Sequence, residues 1–177
     1  MLNDLIKRGF MKAIIIMSLL LQCAVAFAVG KSISIDVNLS PAGSFQINSK
    51  RIKGKALLHG AKFSAANIKI PIKSLKTGID LRDGHLQKKL GIASDKKAVL
   101  LLIKATGENG KGNALFKVLG KEQTAPFTYK RISEKMVSAT FNLSLKKFGI
   151  KGINYMGVGV EDIVSVKILC PLKIAKK

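Results

Sequence analysis

Tryptophan is missing from this chain, and tyrosine, histidine and cysteine occur only twice each. Carboxylates are scarce as well, 10 against 31 lysines and arginines. Each shortage excludes something. With His59, His85 and so few thiols, the usual zinc ligand sets cannot be assembled without carboxylates, and no paired spacing suggests one. No Ser-His-Asp or Cys-His arrangement stands out. Asp83 and His85 could be written as an orienter and its base, but residues two apart on a helix do not face each other. Gly157-Val158-Gly159-Val160 lacks the Lys-Ser/Thr pair and the following helix that a phosphate loop needs. The expectation is no catalytic residue, no metal and no cofactor.

Aromatics make up 6% of the residues while 47% are hydrophobic, so the apolar mass is aliphatic. Single-strand nucleic-acid binders interleave aromatics with a basic groove. Here Phe116, Phe141 and Phe127 fall on apolar, inward-facing positions, and no nucleic-acid partner is expected. The formal net charge of +21 still asks for an account. Such an excess attracts an anionic partner, a membrane surface or an acidic ligand, and otherwise serves only solubility.

The N-terminus reads as an export leader. Lys7, Arg8 and Lys12 precede an apolar run from Ala13 to Ala26, and Ala26-Phe27-Ala28 offers an A-x-A cleavage site. Met11 is an alternative start. Cleavage after Ala28 makes residues 1–28 a signal peptide and removes three cations and Asp4, so +21 becomes +19. The rival reading, lipidation at Cys23, fits poorly because Gln22 occupies a place that wants a small residue. If Cys23 leaves with the signal peptide, Cys170 stands alone, without a disulfide partner. Residues 29–177 make a single domain, long enough for one well-covered core, periplasmic if exported.

Along that domain, period-two alternation recurs. Ile33, Ile35, Val37 and Leu39 alternate with polar residues, as do Ile68, Ile70 and Ile72, then Val137 to Leu145, then Val164, Val166 and Ile168. Residues 52–58 and 126–130 read as shorter strands, with Pro71 marking an edge or a bulge. Ala98–Ile103 is apolar throughout, as if buried on both faces, and Gly107–Gly112 turns it into a hairpin with 113–119. One helical island interrupts this pattern at residues 80–90. Asp80 is placed to cap it, and Leu81, His85, Leu86 and Leu90 fall near one face. The sum is an all-β chain of about eight strands with one short helix covering one end, which argues for an eight-stranded antiparallel barrel or a sandwich. An eight-stranded barrel is just wide enough for one slender ligand.

Seven stretches stand out: Ser40-Pro41-Ala42-Gly43-Ser44-Phe45, Ile52 to Ala56, Ala66 to Gly78, Arg82-Asp83-x-His85-Leu86, Leu119-Gly120-Lys121, Phe148-Gly149-Ile150 and Asp162 to Ile168. Together they resemble the YceI-like family of periplasmic lipid-binding proteins, whose barrel is lipocalin-like. The resemblance implies an exported barrel whose interior holds a long-chain lipid or isoprenoid, a quinone-like molecule or a fatty amide. Where the family usually carries an aromatic pair and an acid after the helix motif, this chain has Gly91-Ile92-Ala93-Ser94-Asp95. Combined with the alternation, the expected ligand-facing residues are Ile68, Ile70, Val99, Leu101, Phe116, Phe141, Leu143, Val164 and Val166. Thr77, Gly78, Arg82, Asp83, His85 and Leu86 form a motif expected to pin the helix to the barrel rim.

Two readings of function follow. In the first the protein carries a long apolar ligand, as a monomer or dimer, without catalysis. In the second the core is solid and a basic exterior, including Lys50, Arg51, Lys53 and Lys55, binds an anionic surface. An enzyme ranks third.

Overall fold

The computed structural model describes residues 30–155 and 158–174; the expected leader, its cleavage site and Cys23 lie outside them. Among the described residues there are eleven strands and one α-helix. The strands are β1 (Ser32–Ser40), β2 (Ser44–Ser49), β3 (Ala56–His59), β4 (Lys62–Pro71), β5 (Val99–Glu108) and β6 (Lys111–Val118). They continue with β7 (Lys121–Ser133), β8 (Met136–Ser144), β9 (Asn154–Tyr155), β10 (Val158–Val160) and β11 (Ile163–Ile174). The helix α1 (Asp80–Lys89) falls between β4 and β5.

A barrel closes through seven of these strands, in the order β3-β4-β5-β6-β7-β8-β11, with β11 returning to β3. Neighbours are antiparallel except at that closure, where Leu172, Lys173 and Ile174 run parallel to Ala56, Leu57 and Leu58. The expected strand count of eight is therefore seven in the ring. The difference has a geometric cause. β3 is only four residues long and covers one end of the gap between β11 and β4. The other end is filled by β1, paired to β11 through Ser32–Asp36, and by β2, paired to β1. Isolated bridges from Asn48 to Lys76 and from Lys53 to Lys69 tie that flap back towards β4.

The alternation in the sequence translates into burial. Ile33, Ile35 and Val37 on β1, Val137, Ala139, Phe141 and Leu143 on β8, and Val164, Val166, Ile168 and Cys170 on β11 are buried in one continuous core. Two hairpins are tighter than the glycine clusters suggest. Asn109-Gly110 joins β5 to β6 and Leu119-Gly120 joins β6 to β7, and both residues of each turn have positive φ, at 52° and 83° and at 50° and 76°. Paired positive φ values match the twist of a two-residue hairpin loop. Strand β7 is correspondingly long, 13 residues, and runs through Pro126 rather than starting there.

The helix lies across one end of the barrel. At its start the Arg82 guanidinium carbon sits 4.4 Å from the centre of the Phe45 ring on β2. At its finish Gly91 packs against Leu119 in the β6–β7 turn. Leu86 and Leu90 face the core between those two points. Two expectations need correcting here. Ile79, not Asp80, occupies the cap position, with no side-chain cap. Leu81 and His85 are exposed and do not share the buried face with Leu86 and Leu90. A helical repeat of 3.6 residues turns Leu81 well away from Leu86, so only the later pair reaches the barrel.

Candidate functional site

The interior of the barrel is built from very small and very large side chains. Cross-strand register places Ala56 opposite Ala65, Ala65 opposite Ala105, Ala105 opposite Ala114, and Ala114 opposite Ala125. All five point inward and are buried. They form an unbroken row of methyl groups around five adjacent strands, β3 to β7. Phenylalanines flank the row. Phe116 stacks on Phe141 with ring centres 4.5 Å apart, and Phe63 meets Phe127 at 5.4 Å and Tyr129 at 4.6 Å. Their rings lean into the room that alanine leaves. Gly107 and Gly112 serve the same packing on the far side. A Cβ on Gly112 would lie 2.6 Å from the Gly107 Cα and 2.8 Å from the Phe127 ring.

What remains open is a cavity of about 40 Å³ lined by sixteen side chains, all apolar, the Cys170 thiol among them. Burial raises the pKa of that thiol to about 11, so it stays protonated and behaves as a small apolar group. Gln123 is a buried polar residue on the inner face, and its side-chain carbonyl accepts the Ser144 amide at 3.2 Å.

The expected ligand-facing residues divide into three groups. Ile68, Ile70, Phe116 and Phe141 line the cavity. Leu143, Val164 and Val166 are buried in the same core but nearer the helix-covered end, outside the cavity lining. Val99 and Leu101 are misplaced: the inward residues of β5 are Leu100 and Leu102, and Val99 and Leu101 point outward, half-buried. In a run that is apolar at every position, periodicity cannot set the phase. A bulge between Leu102 and Lys104 then shifts it again, so that Ala105 is inward. Sequence reasoning missed the alanines altogether. Their spacings differ, and only long-range pairing aligns them.

The helix motif is organised by Asp83, which is 3% exposed. Its Oδ1 accepts the Thr77 amide at 2.6 Å and the Thr77 hydroxyl at 2.8 Å, while Lys76 Nζ stands 3.2 Å from Oδ2. Burial alone would raise its pKa. The Thr77 donors and the Lys76 charge outweigh that, and the net direction is downward. Gly78, at φ +84°, turns the chain between the donor residue and the helix. Arg82 contributes its stacking on Phe45 and a long contact, 3.5 Å, to the Thr77 carbonyl. Leu86 packs inward, whereas His85 is exposed and takes no part in the hydrogen bonding among the described residues. Among those residues no three His, Cys, Asp or Glu side chains converge as a metal site.

The family model for the YceI-like domain matches residues 24–171 of the sequence. The chain belongs to the YceI-like family. The fold agrees. BcnA of Burkholderia cenocepacia superposes with a TM-score of 0.63 at 15% identity, over 81% of this chain and 96% of that one. A polyisoprenoid-binding domain from Saccharophagus degradans, implicated in plant cell wall breakdown, gives 0.55 at 14% identity, over 78% of this chain and 91% of that one. No curated protein matches the sequence. Within this YceI-like barrel, the phenylalanine pairs beside the alanine row leave the small cavity between them.

Proposed function

We propose that this YceI-like protein is an exported, non-catalytic binder of a long apolar molecule, a lipid or isoprenoid chain, seated along the alanine row. The observation that carries the reading is the cavity itself, whose lining offers methyl groups and aromatic rings and no polar group to a ligand. A chain held there needs only burial. Each methylene removed from water contributes roughly 0.8 kcal/mol, and the ordering of ligand and side chains takes part of that back. Entry requires the Phe116–Phe141 and Phe63–Phe127 pairs to swing off the row. The Saccharophagus domain, named for polyisoprenoid binding, supports the ligand class. Export follows from the leader at residues 1–28, with a mature periplasmic chain starting at Val29.

The size of the cavity favours the second reading as well. Sites for drug-sized ligands usually offer roughly 300–1,000 Å³, against about 40 Å³ here. With a solid core, the basic exterior becomes the working surface. Native mass spectrometry of protein purified from its own host separates the two. A co-purifying apolar molecule, lost in Ala139→Trp while that variant stays folded, supports the carrier. An empty wild type, together with an Ala139→Trp variant destabilised by about 1–3 kcal/mol through overpacking, rejects it. N-terminal sequencing checks the export claim, which a diacylated Cys23 would overturn.

A further inference from the structure

Exposed aliphatic side chains are unevenly distributed over this barrel. Seven large ones are exposed among the described residues, and five of them, Ile79, Leu81, Leu119, Val158 and Ile163, belong to the end that α1 covers. Ile79 and Leu81 open the helix, and Leu119 is the tip of the β6–β7 turn. Ile163 begins β11 opposite Ser144, the last residue of β8, and β10 carries Val158 beside the end of β1. Leu81 is 69% exposed and Ile79 53%. Neither touches the core, so both are free for a partner.

Cations outnumber carboxylates at this end, where Asp80, between Ile79 and Leu81, and Asp95 are also exposed. Lys96, Lys97, Lys121, Lys146, Lys147 and Lys151 are exposed at the same end, and none forms an ion pair among the described residues. A cleft of about 240 Å³ also opens there. Leu145, Ile150, Ile153 and Val160 supply its apolar surface, and Lys146 and Lys151 stand on its lining. Glu161 and Asp162 line it too, but Asp162 is engaged by the Ser144 hydroxyl and the Lys146 amide. The girth of the barrel is different in kind. Outward residues such as Asp36, Thr140, Asn142 and Lys167 make it polar, the reverse of a barrel that faces lipid along its strands.

From this arrangement we infer that the α1 end is a peripheral docking face for an anionic lipid bilayer. Ile79, Leu81 and Leu119 enter the interfacial layer, and the lysines engage lipid phosphates. Exposed apolar side chains at a lysine-rich end are the profile of interfacial binding, in which shallow burial and electrostatic attraction add. The choice of a bilayer over an acidic protein rests on shape. The aliphatics project singly from a helix start, a turn tip and a strand start, as insertion into a fluid layer allows. The inference deepens the carrier reading by placing the ligand's reservoir at the helix-covered end. It is measured separately from that reading, on vesicles that hold no isoprenoid.

The test is flotation of the mature protein with vesicles of phosphatidylcholine alone and of equal parts phosphatidylcholine and phosphatidylglycerol. Binding is expected only to the anionic vesicles. Lys96→Glu with Lys97→Glu should weaken it roughly tenfold or more, and Ile79→Ser with Leu81→Ser should weaken it comparably. Lys130→Glu with Arg131→Glu, at the opposite end, should leave it within about twofold. A second readout does not depend on how the variants fold. An environment-sensitive dye on Leu81→Cys should shift to the blue on anionic vesicles, and the same dye on Ile132→Cys should not. Equal loss from charge reversal at both ends would overturn the inference in favour of diffuse attraction. So would indifference to the Ile79 and Leu81 changes, which would point to an acidic macromolecule, or an unshifted dye at position 81.

Discussion

The Asp83 carboxylate accepts both donors of Thr77, the residue six positions before it, at 2.6 and 2.8 Å. This pair fastens the entrance of the helix to the chain leaving β4, and Lys76 adds an ion pair from the solvent side. Because Asp83 is nearly fully buried, its partners cannot be replaced by water in a variant that keeps only one of them.

Removing the carboxylate should therefore be costly. Hydrogen bonds to a charged acceptor contribute about 1.5–3 kcal/mol each, and Asp83→Ala forfeits two while leaving the Thr77 amide short of a partner. A loss of about 3 kcal/mol is expected, which lowers Tm by roughly 6–12 °C in a domain of this size. Arg82→Ala should cost about 1 kcal/mol through its contact with Phe45. His85→Ala should stay within about 0.5 kcal/mol, as an exposed position without a side-chain partner among the described residues. Thermal melts of the three variants check the order.

The same carboxylate sets an acid limit. Asp162 is also held below its ordinary range, first by the Lys146 amide, against burial, with help from the Ser144 hydroxyl. For a carboxylate whose folded pKa is depressed, the stabilisation is complete above the unfolded value, near 4, and disappears as pH falls through the lower folded value. Stability should be level from neutrality down to about pH 4–5 and fall steeply below. In Asp83→Asn the neutral-pH stability should be lower and the fall below pH 4 shallower. Parallel curves for the variant and the parent would refute the assignment.

Labelling of Cys170 reports on the interior. A thiol with a pKa raised to about 11 and 3% exposure should be inert to a disulfide reagent at pH 8 in the native protein. Reaction should track opening of the barrel, and so should slow when an apolar ligand is bound. Rapid labelling of the native protein would contradict the packing.

Gly112 tests the close approach of β5 and β6. Its substitution by Ala brings a methyl against the Thr106 carbonyl and within 2.6 Å of the Gly107 Cα, so backbone must move. A cost of about 1–3 kcal/mol or more is expected. Gly60→Ala, in a turn with open space around it at φ +59°, should cost only about 1 kcal/mol, from the left-handed backbone alone. Denaturant midpoints for the two variants measure the contrast.

Legibility in the sequence followed the contrast between faces. β1, β8 and β11 were readable because one face is wet and the other dry, so a two-residue period fixes both the strand and its orientation. β5 has no such contrast. Val99, Leu100, Leu101 and Leu102 carry equal hydropathy signals, and only packing and the bulge decide that Leu100 and Leu102 are inside. The cap was misread for a related reason. Asp80 has the right chemistry for a cap, but Ile79 holds the cap position and Asp83 takes the structural role by reaching outside the helix to Thr77, a choice local propensity does not encode. The alanine row depends on pairings between distant strands, and nothing in the linear order of Ala56, Ala65, Ala105, Ala114 and Ala125 marks them as neighbours.

The parallel contact of β11 with β3 has a kinetic consequence. The strand that seals the ring is the last of those described, and it holds β8 and β1 as well as β3. Leu172 reaches its partner Ala56 across more than a hundred intervening residues. Contacts of such long sequence separation slow the search for the native state. Until β11 arrives, β3 and β8 remain unsealed edges, and the alanine row is open to solvent and to any apolar chain nearby. A molecule caught at that moment would be enclosed by the closing strand, with no need to pass between finished ones.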